Sequence, residues 1–286
     1  MRLVVTGSSG LLGRHVAGAL VAAGHEVLGL DRAPPPPSAS WSHAVADIAD
    51  LGAAAQLMRG AETVVHVAAI PRPVGRAPSE VFSVNVAASY AAVEAALLVG
   101  ARRFVYASSF SVLGYPFHER PVTPPYLPVD EAHPIGAQDA YALSKWLGEE
   151  ILDAAHRRTG LEAVSLRMPW IQTPQSFADE VGRRRDTPEA VRDLFAYLDA
   201  RDAGEAFRLA VERPVAGHLR LFLSAADTYM AEDTAPLLAR CLPGVPLKAP
   251  IAGSGALIDT GAARAALGFV PRHGWRDYPR DRGESA

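Results

Sequence analysis

The chain has 286 residues, 49% hydrophobic and 21% charged, with a formal charge of −3. That balance describes a packed globular protein and excludes a disordered one, and it gives no basic face for nucleic acid. Cys241 is the only cysteine, so an intrachain disulfide is excluded; a reducing compartment, the cytoplasm, is the expected location.

Residues 3–6 read as a compact apolar strand, followed by a run of glycines and a helix over 11–23 that opens at Leu11. Gly24 stands where a helix end needs positive φ. Residues 26–30 form a second strand ending at Asp31, and the prolines at 34–37 make a stiff loop. A third strand over 63–67, a long helix over 80–99 and a fourth strand over 103–107 continue the alternation. A proline-rich passage at 116–134 precedes a helix over 139–158 and a strand over 162–167. No run approaches the ~18 apolar residues of a membrane span; the most apolar stretch, 87–99, is interrupted by Glu94. The start of the chain runs straight into a strand, without the pattern of a leader.

Beyond Arg167 the alternation breaks. Asp202 and Glu205 stand at capping-box spacing before an apolar helix over 206–211. A strand over 219–223, a helix over 231–241 and a short helix over 262–267, closed by Gly268, complete the chain. The expected fold is α/β: a Rossmann-type doubly wound parallel sheet over 1–167, with a smaller C-terminal α/β substrate lobe over 168–286 that returns some elements to the first domain.

Gly7, Gly10 and Gly13 lie between the first strand and first helix. Without a Cβ they allow a tight turn, close approach of a pyrophosphate and close helix–strand contact, and the helix N-terminus offers its N–H groups to phosphate. Asp31 ends the second strand where a carboxylate receives the adenine ribose hydroxyls, which favours NAD. The neighbouring Arg32 could instead accept the extra phosphate of NADP. Tyr141 and Lys145, four apart, share one helix face; the ammonium, with a positive nicotinamide ring, would draw the phenol's pKa down from ~10. Ser109 follows the fourth strand, at the sheet edge where ligands bind, and its hydroxyl can steady a substrate oxygen.

Taken in order, these motifs resemble the extended short-chain dehydrogenase/reductase superfamily, in its NAD-dependent epimerase/dehydratase group. The resemblance also rests on Asp47-Ile48, His66-Val67-Ala68-Ala69, Asn85, the run from Ser108 to Gly114, and Leu166-Arg167, and it covers roughly the first 170 residues. It implies that Ser109, Tyr141 and Lys145 are catalytic, Tyr141 and Lys145 also meeting the cofactor. Asp47 and Ile48 would contact adenine, Ala68 and Ala69 would pass close to the dinucleotide, and Asn85 would help position it. Leu267-Gly268-Phe269, with Pro271, resembles the family's closing segment.

Two departures bear on substrate. Sugar dehydratases of this group carry an Asp-Glu pair where this chain has Phe110 and Ser111, which argues against water elimination. Nucleotide-sugar epimerases place an asparagine after the Leu-Arg pair to hold the substrate phosphate; here Met168-Pro169-Trp170 follows, and an indole cannot replace an amide. Phe110, Ser111 and Trp170, with Ser109, become candidate substrate contacts. Arg183, Arg184 and Arg185 could meet an anionic group or form a solvated loop. His66 reads as a core histidine, and the nine histidines show no metal spacing. The leading expectation is an oxidoreductase acting at a secondary alcohol or ketone of a sugar derivative or similar small molecule. An epimerase with bound NAD is the alternative, a dinucleotide-sensing protein without catalysis the second. A homodimer through the helices beginning near Glu80 and Asp139 is implied by the resemblance.

Overall fold

The computed structural model describes residues 1–185 and 187–279. The first part runs β1 (Arg2–Thr6), α1 (Leu11–Ala22), β2 (Glu26–Asp31), β3 (Ser42–Val45), α2 (Leu51–Leu57), β4 (Thr63–His66), α3 (Pro78–Leu98), β5 (Arg103–Ser109), α4 (Ala140–Thr159) and β6 (Glu162–Met168). Then follow β7 (Trp170–Gln172), α5 (Pro174–Ser176), α6 (Gly182–Arg184), β8 (Tyr197–Asp199), α7 (Ala200–Glu212), β9 (His218–Phe222), α8 (Thr234–Cys241) and α9 (Gly261–Leu267).

The main sheet is parallel throughout, in the order β3-β2-β1-β4-β5-β6-β9. Its central strands are buried on both faces, which is why they read as apolar runs without alternation. One face is covered by α1, α7 and α9, through Val16, Leu20, Phe207 and Leu267. The other carries α2, α3 and α4, through Ala54, Ala92 and Leu152. A separate core in the later part of the chain gathers Tyr115, Phe195, Tyr229 and Leu257, and β7 pairs with β8 beside it. Strand order reverses between β1 and β4, so the crevice for a ligand lies beyond their carboxyl ends.

β9 extends the main sheet by pairing with β6, so an element of the later segment joins the first sheet. Several expectations need correction. α7 starts at Ala200 and is capped by Asp199, which accepts from the Arg201 N–H; Asp202 is therefore not the cap. The helix begins six residues before its apolar run because Ala200 and Ala203 are themselves buried. Asp202 instead accepts from the backbone N–H groups of Arg272 and His273, holding the closing segment. β3 and α2 were not anticipated: β3 is a partly exposed edge strand, and α2 is only seven residues long. Finally, α3 is long and apolar enough to cross a membrane by length and composition, with a mean hydropathy of 1.6 over eighteen residues. Half of that window is buried in the fold, where α3 packs against α2 and α4 as a core helix.

Candidate active site

The glycine turn divides its labour by position. Gly7 has φ +71, and a Cβ there would stand 2.6 Å from the Ala68 backbone nitrogen. A Cβ on Gly13 would stand 1.9 Å from the Gly7 carbonyl oxygen, so the first turn of α1 could not pack onto β1's end. Gly10 differs: the nearest protein atom to such a Cβ is 3.4 Å away, so the protein itself does not require glycine there. Gly10 is also the N-cap of α1 and brings no side chain to bond the helix's first N–H groups. From Leu11 onward those donors and the helix dipole face the crevice, an arrangement suited to phosphate.

Asp31, at the end of β2, is fixed by two backbone donors: Ser9 N–H to Oδ2 at 2.9 Å and Ala33 N–H to Oδ1 at 3.0 Å. Arg32 is largely exposed and stands 3.9 Å from Asp47. Ile48 is buried against the sheet, whereas the Asp47 carboxylate bonds the Ala49 N–H. Ala68 N–H reaches Thr6 Oγ1 at 3.3 Å, which brings the ends of β1 and β4 together. The turn, the carboxylate and the reversal of strand order thus coincide, and together they suit a dinucleotide.

Beyond β5, Ser109 and α4 bring the expected chemical groups into one place. Asp139 caps α4, accepting from the N–H groups of Tyr141 and Ala142 at 2.9 and 3.0 Å. Ser109 Oγ accepts from Ser111 Oγ at 2.9 Å, and the Ser109 hydroxyl lies close enough to the Tyr141 phenol to lower its pKa. Lys145 Nζ lies 5.8 Å from the centre of the Tyr141 ring and donates to the Ala107 carbonyl at 2.8 Å. Burial pushes the Tyr141 pKa up to about 12, against the lowering effect of the Ser109 hydroxyl. Burial also pulls Lys145 down to about 7. The expected lowering of the phenol's pKa is therefore not produced by the chain's own groups: desolvation outweighs the neighbouring amine and favours the neutral form of both.

Asn85 is buried and clamps Ile70, accepting from its N–H at 2.7 Å and donating to its carbonyl at 3.1 Å. It also donates to Ser144, whose hydroxyl bonds the Tyr141 carbonyl. It therefore joins the loop after β4 to the helix that carries Tyr141. Phe110 is packed in the core against Tyr115 and Phe222, so its ring contributes to packing. Ser111 acts through Ser109. Trp170 is half-buried, with the Arg184 guanidinium 5.7 Å from its ring centre. The arginine cluster separates: Arg184 pairs with Asp193, Arg185 stacks on Trp275 at 3.8 Å and bonds the Tyr229 carbonyl, and Arg183 is exposed. His66 is a core residue as expected, bonded to Thr6 Oγ1 at 2.7 Å.

Two features escaped the sequence. The Phe117 ring meets Tyr141 edge to face at 6.0 Å, and only its place in the proline-rich passage after β5 could have suggested it. Glu149, one turn past Lys145, is wholly buried and accepts from Ser108, twice from Arg167 and once from Arg220. It ties α4 to β5, β6 and β9. The spacing of four from Lys145 was visible, but the partners come from distant strands. A cavity of about 750 Å³ lies at the opposite edge of the sheet, where its charges pair as Arg102–Glu62 and Arg103–Glu162, away from this chemistry.

Comparison with known proteins agrees with this geometry. The model of the NAD dependent epimerase/dehydratase family matches residues 3–220. L-arabinose 1-dehydrogenase (NAD(P)(+)) of Haloferax volcanii is 32% identical over 219 residues, covering 74% of this chain and 82% of its own. Uronate dehydrogenase of Pseudomonas putida is 25% identical, over 93% of this chain and 96% of its own. Among solved structures, a short-chain dehydrogenase/reductase superfamily protein from Agrobacterium tumefaciens with bound NAD is similar with a TM-score of 0.71, at 26% identity over 96% and 94% of the two chains. The MoeE5 complex with UDP-glucuronic acid and NAD shares the fold, with a TM-score of 0.74 at 23% identity over 97% and 96%. The match spans the glycine turn, Asp31 and the Ser109–Tyr141–Lys145 group, and this chain belongs to the NAD dependent epimerase/dehydratase family.

Proposed function

We propose that this protein is an NAD-dependent dehydrogenase that oxidises a hydroxyl-bearing carbon of a small, free sugar or sugar acid. The observation that carries the reading is the convergence of Ser109, Tyr141 and Lys145 at the carboxyl end of β5. NAD, held by the glycine turn, the start of α1 and Asp31, would supply the hydride acceptor. Tyr141 takes the hydroxyl proton as the C–H hydride leaves, or returns it in the reverse direction. Ser109 steadies the substrate oxygen, and its own alignment comes from Ser111. Lys145 holds the ribose and, when protonated, favours phenolate. Phe117 covers the phenol and keeps water from it.

A free sugar is favoured over a nucleotide sugar by Trp170, which stands where an amide would be needed for a phosphate. Of the described residues from 168 to 279, those outside β9, α7 and α9, which join or cover the main sheet, supply the substrate lobe. A homodimer through α3 and α4 fits the exposure of Tyr90 and Leu98 on α3.

The test is turnover of L-arabinose, hexuronates and UDP-sugars with NAD and NADP, followed by the absorbance of reduced nicotinamide. Net reduction with a free sugar, reduced about 10²–10⁴-fold in Tyr141→Phe, is the expected result. Interconversion of UDP-sugars without net absorbance change would establish an epimerase instead. A Tyr141→Phe variant with unaltered turnover would remove the proposed chemistry altogether.

A further inference from the structure

His43, on edge strand β3, stands across the sheet from Gly29 of β2 and bridges two loops. Its Nε2 lies 3.1 Å from the Ala33 carbonyl and its Nδ1 lies 3.3 Å from Ser8 Oγ. A carbonyl only accepts, so Nε2 carries the proton and Nδ1 accepts from the serine hydroxyl. Ser8 is fully buried, and β2 makes room for its hydroxyl: a Cβ on Gly29 would stand 2.5 Å from Ser8 Oγ.

The two loops joined in this way are those that hold Asp31. One of its donors is the N–H of Ser9, next to Ser8; the other is the N–H of Ala33, whose carbonyl His43 engages. Ser9 Oγ adds a tie to the Pro34 carbonyl at 2.9 Å. Arg32, between Asp31 and Ala33, is 73% exposed at its side chain, and its ion-pair partner among the described residues is the Asp47 carboxylate at 3.9 Å. Asp31 thus keeps its orientation only while both loops stay in register. If the register relaxes, the carboxylate turns and the neighbouring guanidinium is nearest to whatever occupies the ribose position.

We propose that His43 is a positioning residue for dinucleotide discrimination: by locking the Ser8 turn to the Ala33 loop it fixes Asp31, favouring an unphosphorylated ribose and disfavouring the 2′-phosphate of NADP. This rests on the reading that the dinucleotide lies at the glycine turn. The test is calorimetric titration of the purified protein with NAD and with NADP, without turnover, alongside the melting temperature of the ligand-free protein. His43→Phe keeps a ring and removes both bonds; His43→Gln restores a donor to Ala33. For His43→Phe the NAD affinity is expected to fall about tenfold, or about 1.4 kcal/mol, the scale of one or two hydrogen bonds. NADP affinity is expected to hold or rise, so that the NAD/NADP ratio falls at least tenfold, and His43→Gln is expected to recover part of the ratio. An unchanged ratio overturns the proposal, as does an equal weakening of both ligands, which would signify a structural role alone. Should His43→Phe not fold, Ser8→Ala breaks the same bridge from its other end and carries the same readings. A wild-type protein that binds neither dinucleotide would overturn the cofactor reading itself, a result distinct from dinucleotide binding that ignores His43.

Discussion

Replacing Glu149 by glutamine tests how α4 is held against the sheet. The Glu149 carboxylate accepts four hydrogen bonds: Ser108 Oγ at 2.5 Å and Arg167 Nε at 2.9 Å on Oε1, Arg167 Nη2 at 2.7 Å and Arg220 Nε at 3.0 Å on Oε2. Neither Glu149 nor Arg167 is open to solvent, with 0% and 4% of the side chains exposed. Glutamine keeps the shape, but its amide nitrogen must face a guanidinium N–H wherever it is placed, and the Arg167 charge loses its counter-ion. Breaking a buried pair on one side costs about 3–5 kcal/mol. Arg220 retains Asp153, so the loss falls mainly on Arg167. Urea unfolding at neutral pH, followed by tryptophan fluorescence and extrapolated linearly, is expected to show a loss of about 4 kcal/mol. The double variant Glu149→Met with Arg167→Met removes both charges and is expected to recover most of that loss. A single variant within about 1 kcal/mol of wild type, the cost of an ordinary hydrogen bond, would refute the assigned role of the network.

Other consequences are as direct. Gly13→Ala forces a Cβ into the Gly7 carbonyl and should lower stability by about 1–3 kcal/mol, with loss of NAD binding; Gly18→Ala, where nothing lies within 4 Å, should raise it by up to ~1 kcal/mol. Thermal melts with and without dinucleotide check both. Asp139→Ala removes the cap of α4 and should cost about 1 kcal/mol in the same melts, whereas Asp139→Asn, which still accepts from Tyr141 and Ala142, should cost little. His66 is held neutral by burial, its pKa pulled from 6.5 to about 3. The unfolded chain takes up this proton as pH falls below 6.5 and the folded chain does not until near 3, so the stability is complete above 6.5 and lost toward acid. Between pH 7 and pH 5 the wild type should lose about 2 kcal/mol more than His66→Gln, read from urea midpoints at the two pH values; parallel pH profiles would contradict this.

The parts of the fold legible in the sequence were those whose cause is local. β1, β4 and β5 have apolar, buried centres because both faces are covered, and Gly24 and Gly268 mark helix ends by positive φ. Gly7, Asp31, Ser109, Tyr141 and Lys145 could be found because each stands at a fixed distance from the end of a strand or the start of a helix. β3 was missed because a four-residue, partly exposed edge strand has neither length nor an apolar run. The cap of α7 was misplaced because two aspartates stand three apart and only burial of Ala200 decides between them. Glu149, His43 and Phe117 were missed for another reason. Their partners lie tens of residues away, and neither spacing nor composition carries information about a contact that forms only when distant strands become neighbours.

The protonation of the site follows from the same long-range packing. α3 and α4 lie against each other and over β4 and β5, so Tyr141 and Lys145 are removed from water together. Removal from water raises the phenol's pKa and lowers the amine's, which moves both groups toward neutrality near pH 7. A neutral phenol is already a proton donor, the form needed to reduce a ketone. Oxidation of an alcohol needs phenolate, and the nearby Ser109 hydroxyl lowers the Tyr141 pKa while Asp139 raises it and burial dominates both. A positive charge beside the phenol, on Lys145 or on an oxidised nicotinamide ring, is therefore required before Tyr141 can act as a base.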